Sequence, residues 1–344
     1  MKIMQLQVLQ DLTRTRTPLI YTDTDLPEPQ ENEILIKIST CGVCHTEIDE
    51  IEGRTPPPVL PVIPGHQVVG RVFKLGSGVS RWQIGDRVGV AWIFSACGVC
   101  AYCKTGFENL CSDFRATGRD ANGGYAEYMT VPEQYAYLIP AEFSAAQAAP
   151  LLCAGAIGYR SLRLTNIKNG QSLGLTGFGA SAHLVLKLAR YIFPDTRIYV
   201  FARSAKERDF ALELGAFWAG ETERSAPQKL HAIIDTTPVW NPVLYAMENL
   251  IPGGRLIINA IRKEDVDKFD LGKLNYSRHL WLEKEIKSVA NVTRQDVQEF
   301  LNQAVEADIE PAYQEYDLAD ANQALMELKE RKIRGAKVIR ISDD

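Results

Sequence analysis

Cysteine and histidine are the residues whose spacing in this chain invites a chemical reading. Four of the seven cysteines fall in CGVCAYCKTGFENLC, at Cys97, Cys100, Cys103 and Cys111. The spacing is C-x2-C-x2-C-x7-C, and four thiolates on one short loop can surround a zinc ion tetrahedrally at roughly 2.3 Å. Such a site keeps no open position, so it would be structural. An iron–sulfur cluster is the rival, but its bacterial motif holds the last two cysteines closer and adds a proline. Here Ser112 follows the fourth cysteine. A disulfide framework suits an odd number of thiols poorly. The other cysteines are scattered: Cys41 and Cys44 in TCGVCHTEIDEIEG, and Cys153 in PLLCAGAIGY, with His66 in PVIPGHQVVG. Two cysteines and one histidine from separate segments can hold a zinc ion whose fourth position stays free for catalysis.

A second chemical signature lies in GLTGFGASAH. Gly177, Gly179 and Ala182 match G-x-G-x-x-G/A, after an apolar run and before a helical pattern. Gly177 permits the tight turn, Gly179 lets backbone approach a pyrophosphate, and Ala182 allows close helix–sheet packing. The end of the next apolar run reads Ala202-Arg203-Ser204, with no acid to bind ribose hydroxyls. Arg203 and Ser204 could instead hold a 2′-phosphate, which favours NADP(H) over NAD(H). The alternative is that both are surface residues and either coenzyme is accepted.

The elements that must position these residues fall into two kinds. Residues 1–152 carry short strand patterns, 33–40, 67–76 and 86–92, between turns rich in glycine and proline. The run TPPPVLPVIPG cannot be helical. From about residue 153 strands and helices alternate: strands 171–177, 197–202, 231–236 and 253–261, helices 180–193, 205–215 and 242–250. That rhythm predicts an α/β doubly wound parallel sheet, a Rossmann domain over 153–289. Helices 293–307 and 318–332 and a strand 336–341 follow, and residues 290–344 are assigned back to the first, β-rich domain.

With these motifs in place, the chain resembles the zinc-dependent alcohol dehydrogenases of the medium-chain dehydrogenase/reductase superfamily. GVCHTE, PGHQ, GDRV, the four-cysteine loop, GGYAEY, PLLCAG and GFGASA occur in the family's order, nearly end to end. The resemblance implies a GroES-like catalytic domain, two zinc ions per chain, and a homodimer or homotetramer. It maps the catalytic zinc ligands onto Cys44, His66 and Cys153, leaving Cys41 as packing. It places His45 at the coenzyme pyrophosphate, Thr46 at the substrate proton, Glu47 behind the ligand histidine and Trp92 in the wall of the substrate pocket. Three positions depart from the family pattern. Gln67 stands where a glutamate follows the histidine, and Asp49 where a relay histidine is usual. Gly335 is followed by Ala336 and Lys337, not by the arginine that touches the pyrophosphate. The implied reaction moves hydride between an alcohol, or its aldehyde, and NADP(H) or NAD(H). A polyol or cyclic-alcohol dehydrogenase is an alternative, and a non-catalytic nucleotide-binding structural protein is one of another class.

Composition narrows the partners. The net charge of −5 argues against a nucleic-acid-binding face. No apolar run reaches about 18 residues, so no membrane span is expected. The first ten residues alternate like a strand and lack a signal peptide's apolar centre, so the cytoplasm is expected.

Overall fold

The computed structural model describes residues 1–330 and 335–343. The chain forms two compact units. The first comprises Met1–Ala156, Asn291–Val305 and Glu310–Asp344, and the second Ile157–Ala290 and Glu306–Ile309. The break lies a few residues later than the 152/153 boundary read from the sequence. Cys153 therefore folds with the unit that holds Cys44 and His66.

The first unit is built on Glu33–Val43, a strand that is buried along most of its length. It pairs with Val68–Leu75 and Tyr128–Pro132 and, at its far end, with Ala336–Arg340, all antiparallel. Ile34, Leu35, Ile36, Ile38 and Cys41 are fully buried, as befits a central strand covered on both faces. Arg87–Val90 and Ala136–Leu138 extend the sheet on one side and Tyr313–Asp317 on the other. Ile93–Ser95 pairs with Arg115–Ala116 in a separate ribbon beside the four-cysteine loop.

The second unit is a six-stranded, wholly parallel sheet. Its spatial order is Trp218–Gly220, Arg197–Phe201, Ser172–Thr176, Leu230–Asp235, Leu250–Ile258, Glu285–Ser288. In chain order that is 3-2-1-4-5-6, the doubly wound arrangement whose topological switch falls between strands one and four. Three of the four long strands lie within a residue of where the sequence placed them, and the fourth, Leu250–Ile258, begins and ends three residues before the expected 253–261. The edge strands, Trp218–Gly220 and Glu285–Ser288, were not foreseen: three residues are too few for a period, and EIKS is exposed throughout. The terminal helical pattern 318–332 resolves into a 3-10 turn, Leu318–Asp320, and a helix, Ala321–Lys329. Its last two residues lie outside the described ones. Among the described residues no helix is long and apolar enough to cross a membrane.

Candidate metal centre and coenzyme cradle

Cys44 ends the central strand region and opens the helix His45–Ile51. The helix begins there because Glu47 reaches back: its Oε2 accepts the Cys44 backbone N–H at 2.8 Å. The other oxygen of the same carboxylate, Oε1, lies 2.6 Å from Nδ1 of His66. Glu47 thus fixes both the turn that presents Cys44 and the ring that presents His66. Holding Nδ1 leaves Nε2 facing Cys153, 3.2 Å from its Sγ. Cys153 sits in a π-helical turn, Leu151–Gly155, a kind of bulge that often marks functional sites. The ligand atoms of Cys44, His66 and Cys153 all lie within 4.8 Å of one another.

The electrostatics suit a cation. A hydrogen bond from Cys153 and the nearby His66 hold the Cys44 thiol well below its ordinary value, despite burial. Burial disfavours a charged His66, but Glu47 and Cys44 more than offset it and raise its pKa. At Glu47 burial outweighs the pull of His66 and raises the carboxyl above its ordinary value. The nitrogen and sulfur donor set suits zinc, with three ligands and one position left open.

The four-cysteine loop closes on itself. Sγ atoms of Cys97, Cys100, Cys103 and Cys111 lie within 4.8 Å of one another. Cys97 and Cys103 are 3.9 Å apart, close to the edge of about 3.8 Å of a tetrahedron with zinc–sulfur bonds of roughly 2.3 Å. Backbone N–H groups of Val99 and Cys100 hold the Cys97 thiol down at about 7, while burial pushes Cys103 up to about 12. All seven cysteines are free. The loop is tied down by Glu108, whose Oε1 accepts the backbone N–H of Arg294 at 2.8 Å.

Around the scattered set, Thr46 Oγ1 is 3.5 Å from Cys44 Sγ, and His45 is exposed at the helix start. Trp92 lies edge-on to His66 with ring centroids 6.5 Å apart. Phe114 packs on Trp92 at 5.5 Å, and the Arg119 guanidinium sits 5.6 Å from its ring. Asp49 forms an ion pair with Arg54 at 2.6 Å. Gln67 is buried with its amide against Gly42, where an added Cβ would meet its Cδ at 2.7 Å. Lys337 is buried, bonded to Tyr316 and to Glu327 at 2.6 Å. Glu50, one helical turn beyond Glu47, is also buried, and its Oε1 has no hydrogen-bond partner.

The second unit carries the glycine turn. Gly177 is left-handed, with φ of 77°, and an added Cβ there would lie 2.8 Å from Thr236 Oγ1. Gly179 precedes the helix Ala180–Ile192 with no side-chain cap, and a Cβ on it would meet nothing within 4 Å. A helix start with open space beside its first residue suits a bound pyrophosphate. Ala182 is fully buried under the helix. Arg203 is exposed. Ser204 has a local task the sequence reading passed over, although S-x-x-E is its signature: its Oγ accepts the Glu207 N–H at 3.2 Å and caps the helix Ala205–Glu213. Arg208, also overlooked, donates to the carbonyls of Ala202 and Arg203, both at 2.9 Å.

Comparison with known proteins gives the family. Residues 30–141 match the alcohol dehydrogenase GroES-like domain. A probable alcohol dehydrogenase, AdhA, of Mycobacterium tuberculosis is 43% identical over 94% of this chain and 93% of its own length. The chain belongs to the alcohol dehydrogenases of the medium-chain dehydrogenase/reductase superfamily. An alcohol dehydrogenase of Geobacillus stearothermophilus is 31% identical over 94% of this chain and 95% of its own. The structure of a cinnamyl alcohol dehydrogenase from Sorghum bicolor superposes with a TM-score of 0.86, at 25% identity and 98% coverage of both chains. The dehydrogenase described here is accordingly an oxidoreductase acting on small-molecule alcohols or aldehydes.

Proposed function

We propose that this alcohol dehydrogenase is zinc-dependent, with one catalytic and one structural zinc per chain, and that it prefers NADP(H) to NAD(H). The observation that carries the reading is the donor set Cys44, His66 and Cys153, with the histidine held from behind by Glu47 at 2.6 Å. When bound, zinc supplies Lewis acidity toward the alcohol or carbonyl oxygen, and the nicotinamide coenzyme takes up or gives the hydride. The chain's own residues orient and protonate. Glu47 fixes the tautomer of His66 and raises its basicity as a ligand. Thr46 Oγ1 accepts the proton of the substrate hydroxyl and passes its own outward. Asp49, paired with Arg54, takes that proton onward. Trp92, stiffened by Phe114 and Arg119, narrows the substrate pocket.

In the second unit Gly177, Gly179 and the helix start at Ala182 hold the pyrophosphate, and Arg203 and Ser204 hold the 2′-phosphate. The closed four-cysteine loop is assigned the structural zinc. Exposed Phe269, Tyr276 and Trp281 lie in the stretch before the open edge strand Glu285–Ser288. Such a surface favours a homodimer or homotetramer. The free thiols suit the reducing cytoplasm.

The test is metal analysis combined with nicotinamide absorbance, using primary, secondary, aromatic and polyol substrates with each coenzyme. Two zinc ions per chain and faster turnover with NADPH than with NADH support the reading. Equal efficiency with both coenzymes would remove the NADP(H) preference.

A further inference from the structure

Lys263 has no part in the chemistry described so far, yet it is a buried cation at the coenzyme end of the sheet. It follows the strand Leu250–Ile258, and its side chain is 6% exposed. Its ammonium group meets the carboxylate of Asp235, itself fully buried. It also donates to the carbonyls of Thr237 at 2.7 Å and Val239 at 2.9 Å. All three ammonium hydrogens therefore have acceptors. The same loop holds the following residues: Glu264 N–H donates to Pro238 O at 2.6 Å, and the Asp267 carboxylate accepts the N–H groups of Trp240 and Asn241 at 3.0 and 2.7 Å.

The turn pinned in this way, Thr236 to Val239, leaves the carboxyl end of Leu230–Asp235. That strand neighbours Ser172–Thr176 across the topological switch, where doubly wound sheets bind ligands. Thr236 N–H donates to Thr176 O at 2.9 Å, and Thr236 Oγ1 and Thr237 Cγ2 are the atoms that would crowd a Cβ on Gly177. Arg203 lies off the strand on the other side of Ser172–Thr176. If the adenosine half lies on Arg203's side, the nicotinamide half lies over the pinned turn.

We propose that Lys263 is a positioning residue for the coenzyme, holding the Thr236–Val239 turn as the wall against which the nicotinamide half is seated. The inference rests on the coenzyme reading above. A buried ammonium with every hydrogen committed has no spare donor for a ligand, so Lys263 acts through the turn and not by contact.

The test compares wild type with Lys263→Met, and with Lys263→Met/Asp235→Asn, which leaves no unpaired buried charge should the single variant fold poorly. Binding of NADPH and NADH is followed by nicotinamide fluorescence and binding of ADP by calorimetry. The expected result is a loss of about tenfold or more for both dinucleotides, with ADP affinity changed less than about twofold and partial recovery in Lys263→Arg. A dinucleotide loss no larger than the ADP loss overturns the proposal, because a general disturbance of the unit weakens both. Wild-type protein that binds neither dinucleotide nor ADP would instead refute the coenzyme reading itself.

Discussion

One carboxylate of Glu47 spans two jobs: it lies 2.6 Å from His66 Nδ1 and accepts the Cys44 N–H at 2.8 Å. The residue is fully buried, and burial raises its carboxyl pKa against the opposing pull of His66 and the Cys44 N–H. Two of the three candidate ligands therefore share one support, and the third, Cys153, is delivered by an unrelated π-helical turn.

Replacing that support should loosen the metal centre without emptying the structural one. Glu47→Gln is expected to weaken zinc binding at the scattered site by about 10–100-fold, the usual cost of losing such a partner. Chelator competition checks this, read as one zinc lost early and one retained. Loss of both together would mean that Glu47 supports the unit as a whole.

The proton path gives graded expectations. Thr46→Ala should lower kcat by about 100-fold or more, and Thr46→Ser should restore most of it, since general acid–base groups are worth about that much. Asp49→Asn should cost less than about tenfold, because Arg54 already occupies its carboxylate. Steady-state rates over a pH series decide this. A larger loss for Asp49→Asn than for Thr46→Ala would reverse the assigned roles.

Coenzyme choice is tested at Arg203. Removing one charge-assisted phosphate contact costs about 1.5–3 kcal/mol, so Arg203→Ala should raise the KM for NADPH by about 10–100-fold and leave that for NADH nearly unchanged. Parallel increases for both coenzymes would show that Arg203 does not read the 2′-phosphate.

Much of this was legible in the sequence, and the parts that were not have physical reasons. The four close cysteines and the glycine turn announce themselves because each motif is local. Choosing Cys44 over Cys41 needed the family pattern, since both sit in one short segment and only the fold turns Cys41 into the core, beside Gly65 and Gly124. Lys263 reads as a surface residue in IRKED, and only the pairing of strands brings it to Asp235. Glu50 likewise reads as solvated, but one helical turn from Glu47 it shares the buried face. The edge strand Glu285–Ser288 carries no apolar period, because all four of its residues are exposed and neither face is buried.

Acid sensitivity should appear away from the site. Lys337, Tyr316 and Gln323 hold the Glu327 carboxyl at about 2, against an ordinary 4.5. A carboxylate depressed in the folded state stabilises above its unfolded value, and that contribution is lost as pH falls from about 4.5 toward 2. Glu327 is 23% exposed, so solvent screening brings the expected contribution to about 1–2 kcal/mol. Glu327→Gln should therefore be less stable than wild type at pH 7, with the gap narrowing steadily below pH 4. Denaturant unfolding at several pH values measures it, and a gap independent of pH would contradict the assignment.

The proposed assignment gives the chemistry to Cys44, His66 and Cys153 and a structural role to the denser cluster at Cys97–Cys111. Zinc content and turnover measured together on Cys44→Ser test it most directly. The expected result is a folded protein with one zinc per chain and no measurable alcohol oxidation. Full turnover from Cys44→Ser protein holding a single zinc would contradict it.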